Sequence, residues 1–200
     1  MEDDVFRKSF LVFLTAVLAA CSDTPTPIST PSEDKLEVEQ QEVYAALLQK
    51  LYSAPSYVIM DATATGPSGV GETDSTLDHI LQDMRSVDPE TVDSFRVRND
   101  AAYPVRPDMN LGSGYVLLSK DEMSLIFSPN QDGWQVFYDQ HPDAPGITTL
   151  SRVGFNYALD QALVYVGTMS HWLAGGGYYV LLVKINGFWF VDQQVMTWIS

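Results

Sequence analysis

The sequence predicts an α+β domain, with N-terminal helices followed by a C-terminal four-stranded antiparallel meander. Three observations predict it. Charge is uneven: across 130–200 the only Lys or Arg residues are Arg152 and Lys184, whereas 32–121 holds most of the Glu, Asp, Lys and Arg. Apolar residues recur at helical spacing before Gly146 and at a period of two after it. Finally, Asn186-Gly187 sits between two apolar runs, and both residues tolerate the positive φ of a type I′ hairpin turn.

The elements follow in order. From Glu37, the residues Val38, Val43, Ala46, Leu47, Leu51 and Tyr52 form a helical stripe that Pro55 ends. Tyr57-Val58-Ile59-Met60 is a short apolar run, either a strand or an extended segment. The segment 65–71, TGPSGVG, is a loop. It lacks the Lys-Ser/Thr pair of a phosphate-binding loop and the spacing of a dinucleotide fingerprint. Leu77, Ile80, Leu81 and Met84 space as a second helix, capped by Asp74 or Ser75. Asp88-Pro89-Glu90 starts a third at N-cap and N1, carrying Val92 and Phe95 and ending near Asn99. Ser119 followed by Glu122 has the form of a capping box, with Met123, Ile126 and Phe127 on one face. Trp134, Phe137 and Tyr138 mark a further helix after an Asx-type turn. Four strands follow, at 147–156, 161–168, 178–185 and 188–199, joined by short connections that favour antiparallel neighbours. Both faces of these strands are apolar, so the sheet is expected to be curved or covered by helices. Helices wrapped by such a sheet are similar to nuclear-transport-factor-2-like and cystatin-like folds, which implies a cone-like curvature and no function. The stretch 134–200, with GITTLSRVGFN, ALVYV and GGGYYVLL, resembles C-terminal regions of bacterial proteins without assigned activity and implies none.

Composition narrows the function classes. With 200 residues, 46% hydrophobic and 18% charged, the chain can bury one ordinary core. A net charge of −15 and 11 scattered Lys and Arg residues argue against nucleic acid, whose binding needs clustered cations to displace counterions. The acidic balance suits a soluble domain outside the cytoplasm.

Cys21 is the single cysteine of the chain. A lone thiol can be a nucleophile, half of an intermolecular disulfide, a buried apolar group or a site of modification. Its neighbours decide among these. Arg7 and Lys8 precede an apolar run at 9–20, too short for the ~20 residues that cross a bilayer as a helix but of signal-peptide length. Leu18-Ala19-Ala20-Cys21 resembles the lipobox of bacterial lipoproteins. The resemblance, over residues 5–21, implies a diacylglycerol on the Cys21 sulfur, cleavage between Ala20 and Cys21, and acylation of the new amino group. Each buried CH₂ adds ~0.8 kcal/mol, so two or three acyl chains anchor the protein lastingly to a membrane. Glu2, Asp3 and Asp4 depart from the basic start of such leaders, which leaves two translation starts open, Met1 or a Val5 read as Met that would make Phe6-Arg7-Lys8 the basic region. Ser22 after the modified cysteine points to the outer membrane in a diderm organism. The expected organisation is a signal peptide at 1–20, a lipidated Ser/Thr/Pro tether at 21–34 and one α+β domain at 35–200.

Within that domain no catalytic, cofactor or metal motif stands out. No Gly-x-Ser-x-Gly elbow surrounds any serine, and Ser151 lies inside an expected strand. His79, His141 and His171 lack zinc-ligand spacing. The segment 128–133, with Asp139 at the twelfth place, faintly echoes a calcium loop but begins with Ser and ends with Asp. Carboxylates such as Asp121 and Glu122 suit helix starts. Arg152 is expected to pair with a carboxylate. His171 and Trp172, if they cap a hairpin, form a candidate binding rim. The expected function is a lipid-anchored envelope protein whose domain binds a partner without catalysis and without a cofactor. The rival is an envelope hydrolase using Ser151 and His171.

Overall fold

The computed structural model describes residues 30–65 and 74–200. The leader, the Ala20–Cys21 cleavage and lipidation site, Val5, most of the tether, residues 66–71 of the glycine-rich loop and the side chain of His79 lie outside the described residues.

The protein is α+β, with five helices and seven strands among the described residues. They run α1 (Glu33–Leu51), β1 (Ser56–Met60), α2 (Asp74–Asp83), α3 (Pro89–Arg98), β2 (Gly114–Leu118), α4 (Lys120–Ile126), α5 (Gly133–Gln140), β3 (Ile147–Leu150), β4 (Gly154–Phe155), β5 (Gln161–His171), β6 (Ala174–Ile185) and β7 (Phe188–Ile199). One mixed sheet has the order β2-β1-β3-β5-β6-β7, with β4 also paired to β5. β1 is parallel to both β2 and β3, and the remaining pairs are antiparallel.

This sheet is larger than the four strands expected, and it corrects the plan of helices first and strands afterwards. β1 and β2 interleave with the helices, and α2 and α3 form the crossover between them. β2 reads GYVLL, too short and too little flanked to stand out from its own residues.

The strand expected at 147–156 divides into β3 and β4. The interruption at Ser151–Val153 is made by distant side chains. Asn99 donates from Nδ2 to the Arg152 carbonyl (3.0 Å) and accepts from the Arg152 N–H (2.8 Å). Gln40 Oε1 accepts from the Val153 N–H (3.0 Å). These bonds replace the ladder that a continuous strand would need. β5 also extends to His171 and β6 begins at Ala174, so Gly175–Gly177 belong to a strand rather than to a connecting loop.

The helix starts are chemical. Ser32 accepts from the Lys35 N–H at the head of α1, inside the segment read as tether. Ser119 and Glu122 form the complete capping box of α4. Asp132 caps α5 by accepting from the Trp134 and Gln135 N–H groups. Asp88 occupies the N-cap of α3, but its carboxylate accepts from Asn156 instead. Between β6 and β7 the turn has positive φ at Asn186 (52°) and Gly187 (85°), as type I′ requires.

The helices take different faces of the sheet. α1 buries Val43, Tyr44, Leu47 and Leu48 against Ile59, Leu150, Val164, Val166, Val180 and Leu182. Of the stripe read from sequence, Val38 is exposed, and Gln40 and Glu39 take up the buried face. The opposite face carries two separate cores. α2 and α3 cover Leu163, Tyr165, Tyr179 and Leu181 with Leu77, Val92 and Phe95. α4 and α5 cover Val58, Met60 and Ile147 with Ile126, Trp134 and Phe137. Alternation along β5 puts Leu163, Tyr165, Gly167 and Met169 on this same side.

Candidate functional site

Between those two cores lies a cavity of about 710 Å³. Its floor is the sheet itself: Met60 of β1, Ile147 and Thr149 of β3, and Tyr165, Gly167 and Met169 of β5. Register sets these side by side, Ile147 opposite Met169 and Thr149 opposite Gly167. The segment after β1, with Ala62 to Thr65, forms one wall. Lys120, Met123, Ser124 and Phe127 from α4 and the next loop form another, backed by Trp134 of α5. Trp172 and Trp198 complete it.

A glycine ladder makes room for Trp198. Gly167 pairs with Gly177, and Gly177 pairs with Trp198 on β7. A Cβ on Gly177 would lie 2.0 Å from Trp198 Nε1, and one on Gly175 would lie 3.2 Å from its Cη2. The indole therefore lies flat on the strands, where its Nε1–H donates to the Tyr165 hydroxyl (2.9 Å). Glycine inside a strand commonly marks such a close approach.

The hairpin between β5 and β6 reaches its tip at Trp172-Leu173, and Trp172 is 56% exposed. Its ring meets Phe127 edge-on at 5.6 Å and Trp134 at 6.4 Å. The Tyr138 hydroxyl donates to the Ser170 carbonyl (2.8 Å), which ties the base of the tip to α5. Of the two expected rim residues, Trp172 stands in the cavity wall. His171 stacks nearly parallel on Trp134 at 6.2 Å, outside the wall. Sequence reasoning missed Trp198, Tyr165, Met169 and the α4 residues. The available signal was the pairing of Gly167 with the GGG of β6, two breaks in otherwise good strands.

The wall is mostly apolar, and its polar groups are few. Lys120 is its charged side chain, and among the described residues that ammonium has no carboxylate partner. Trp134 is only 4% exposed, and its Nε1–H has no hydrogen-bond partner among the described residues. Five aromatic side chains and three methionines around a few polar groups form the usual lining of a small-molecule site.

The other candidates are used structurally. Ser151 is fully buried: its hydroxyl accepts from the Tyr165 N–H (2.8 Å) and donates to the Arg152 carbonyl (2.9 Å). His171 is six residues beyond Tyr165 on the same strand, about 20 Å away at ~3.3 Å per residue, so the two are not brought together. Arg152 pairs with Glu33 and, at 3.0 Å, with Glu37, and lies over the Tyr103 ring. Arg98 joins the same acids at 3.0 and 3.2 Å. Burial alone would raise the Glu33 pKa, but Arg98 and Arg152 outweigh it and hold this carboxyl below its ordinary value. Burial likewise pushes the nearby Tyr44 phenol upward, reinforced by the Glu37 charge. Asp132 is spent on capping α5, and Asp139 accepts from Gln135 (2.8 Å). Among the described residues no group of three His, Cys, Asp or Glu side chains is placed to hold a metal ion.

No known protein family, curated protein or solved structure matches the chain.

Proposed function

We propose that the protein is a lipid-anchored binding module of the cell envelope, without catalysis, that takes an apolar small molecule into the cavity between the α2–α3 and α4–α5 cores. The cavity itself carries the reading: about 710 Å³ of apolar space falls within the ~300–1,000 Å³ of small-molecule sites. A close-packed domain of this size leaves few voids larger than a water molecule. Trp172 at the hairpin tip supplies a half-exposed aromatic at the edge of that space. The anchor rests on Leu18-Ala19-Ala20-Cys21 and on the Ser/Thr/Pro tether after it, which would hold the domain off an outer membrane. The sheet is taken to curl in the cone-like manner expected from the element order. Register shifts at Met169/His171, Gly177/Tyr178 and Leu181/Leu182 support that, because bulges bend strands.

The binding test is titration with N-phenyl-1-naphthylamine, a neutral apolar fluorophore. Saturable binding at one site per chain is expected, weakened by Trp172→Ala and by Met123→Trp, which sets a bulkier side chain in the α4 wall. Absence of saturable binding, or binding untouched by Met123→Trp, overturns the reading. The anchor is tested by mass spectrometry of the membrane-extracted protein. Lipidated Cys21 at the mature N-terminus is expected, and a free thiol with the leader attached refutes it.

A further inference from the structure

Resting on the cavity as the binding site, we infer that its occupant is a single-chain amphiphile with a carboxylate head. Its chain would lie among Met123, Phe127, Met169 and Trp134, with the head at Lys120. The polar groups of the wall carry this step. In a chain of net charge −15, the one charged side chain among the described residues of the wall is a cation. Lys120 makes none of the ion pairs found among the described residues, which engage Arg96, Arg98, Arg106, Arg152 and Lys184. The buried Trp134 Nε1–H has no partner among the described residues, and indole has no acceptor to offer. Tyr165 already receives the Trp198 N–H, and Thr63 Oγ1 already receives the Tyr103 N–H. Ser124 donates to the Lys120 carbonyl. The Thr65 and Thr149 hydroxyls serve as donor or acceptor. The wall therefore offers donors and positive charge to a ligand. A carboxylate, which only accepts when ionised, complements them, and a cationic or donor-rich head does not. The apolar remainder asks for a hydrocarbon chain rather than a sugar or a peptide.

The test compares dodecanoate with dodecan-1-ol at pH 8, both below their aggregation limits, on the full chain carrying Cys21→Ser so that no acyl group is attached. Tryptophan fluorescence reads the binding, since Trp134, Trp172 and Trp198 line the cavity. The carboxylate is expected to bind about two- to fivefold more tightly than the alcohol, the range of an exposed ion pair. Lys120→Gln should abolish that preference while the alcohol binds as before. Equal affinity of the two ligands in the unaltered protein overturns the carboxylate inference and leaves the apolar site standing. A preference that survives Lys120→Gln overturns the role of Lys120 and the inference with it. Binding of neither ligand refutes both this inference and the cavity reading.

Discussion

α1 covers its face of the sheet as one 19-residue helix whose Glu33, Glu37, Glu39 and Glu42 are ion-paired, whereas the opposite face carries two short-helix cores with a cavity of about 710 Å³ between them. On the α1 side Glu33 and Glu37 meet Arg98 and Arg152. Glu39 accepts from Lys184 (2.6 Å) and from Trp189 Nε1 (2.9 Å). On the cavity side Lys120 and Trp134 keep unspent donors. A single long helix brings a continuous stripe that a flat run of Val, Leu and Ile can fill. On the other face Gly167 and Gly177 pair with each other, and the space above them is taken by Trp198 and the cavity rather than by a helix. The comparison separates a surface built for stability from one that gives up packing for space.

The largest effect should come from the filled face. Leu47 is fully buried, and Leu47→Ala is expected to cost about 2–5 kcal/mol in urea denaturation. Met123→Ala, in the cavity wall, should cost less than about 1 kcal/mol, because its side chain borders space already empty. Equal costs at the two positions would break the comparison.

Next in size is Gly177→Ala. Its Cβ cannot coexist with Trp198 in place, so the indole must leave the floor of the cavity. A loss of about 1–3 kcal/mol is expected, with a shift in tryptophan emission. An unshifted spectrum would mean that Trp198 does not define the floor.

A smaller, pH-dependent effect distinguishes the ion-paired side. The folded pKa of Glu33 is depressed, so its contribution is present above the ordinary carboxylate value of 4.5 and is lost as pH falls through the folded value. Arg152→Gln removes part of that depression. The urea midpoint of the unaltered protein should therefore fall more between pH 7 and pH 3.5 than that of Arg152→Gln. The magnitude is limited because the Glu33 side chain is 60% exposed. Parallel declines would remove Glu33 from the account.

The smallest effect on stability should be at the tip. Trp172→Ala is expected to change the unfolding free energy in urea by no more than about 0.5 kcal/mol while weakening the binding of the neutral probe. A large stability loss would make Trp172 a core residue instead.

Legibility in the sequence followed the range of the interactions. The Ser119–Glu122 capping box, Pro89 at the head of α3 and the Asn186-Gly187 turn each involve residues a few positions apart, and all were readable. The break between β3 and β4 was not, because Asn99 and Gln40, which make it, stand 53 and 113 residues from their partners. β2 was hidden for the same reason: a five-residue strand owes its existence to parallel pairing with β1 across two helices. Of the site, Trp172 was visible as an aromatic in a glycine-rich turn. Trp198 and Tyr165 read as ordinary strand residues until register set them on the glycine ladder.

The sequence by itself determined the α+β composition, the Ser119–Glu122 capping box and the last hairpin, because each depends on neighbours along the chain or on their local periodicity. Only the tertiary structure decided that the sheet is mixed, that Ser151 is a buried structural hydroxyl and that an apolar cavity opens between the sheet, α4 and the segment after β1. A cavity is the space that packing fails to fill, and no local pattern of residues encodes a space bounded by segments more than a hundred residues apart.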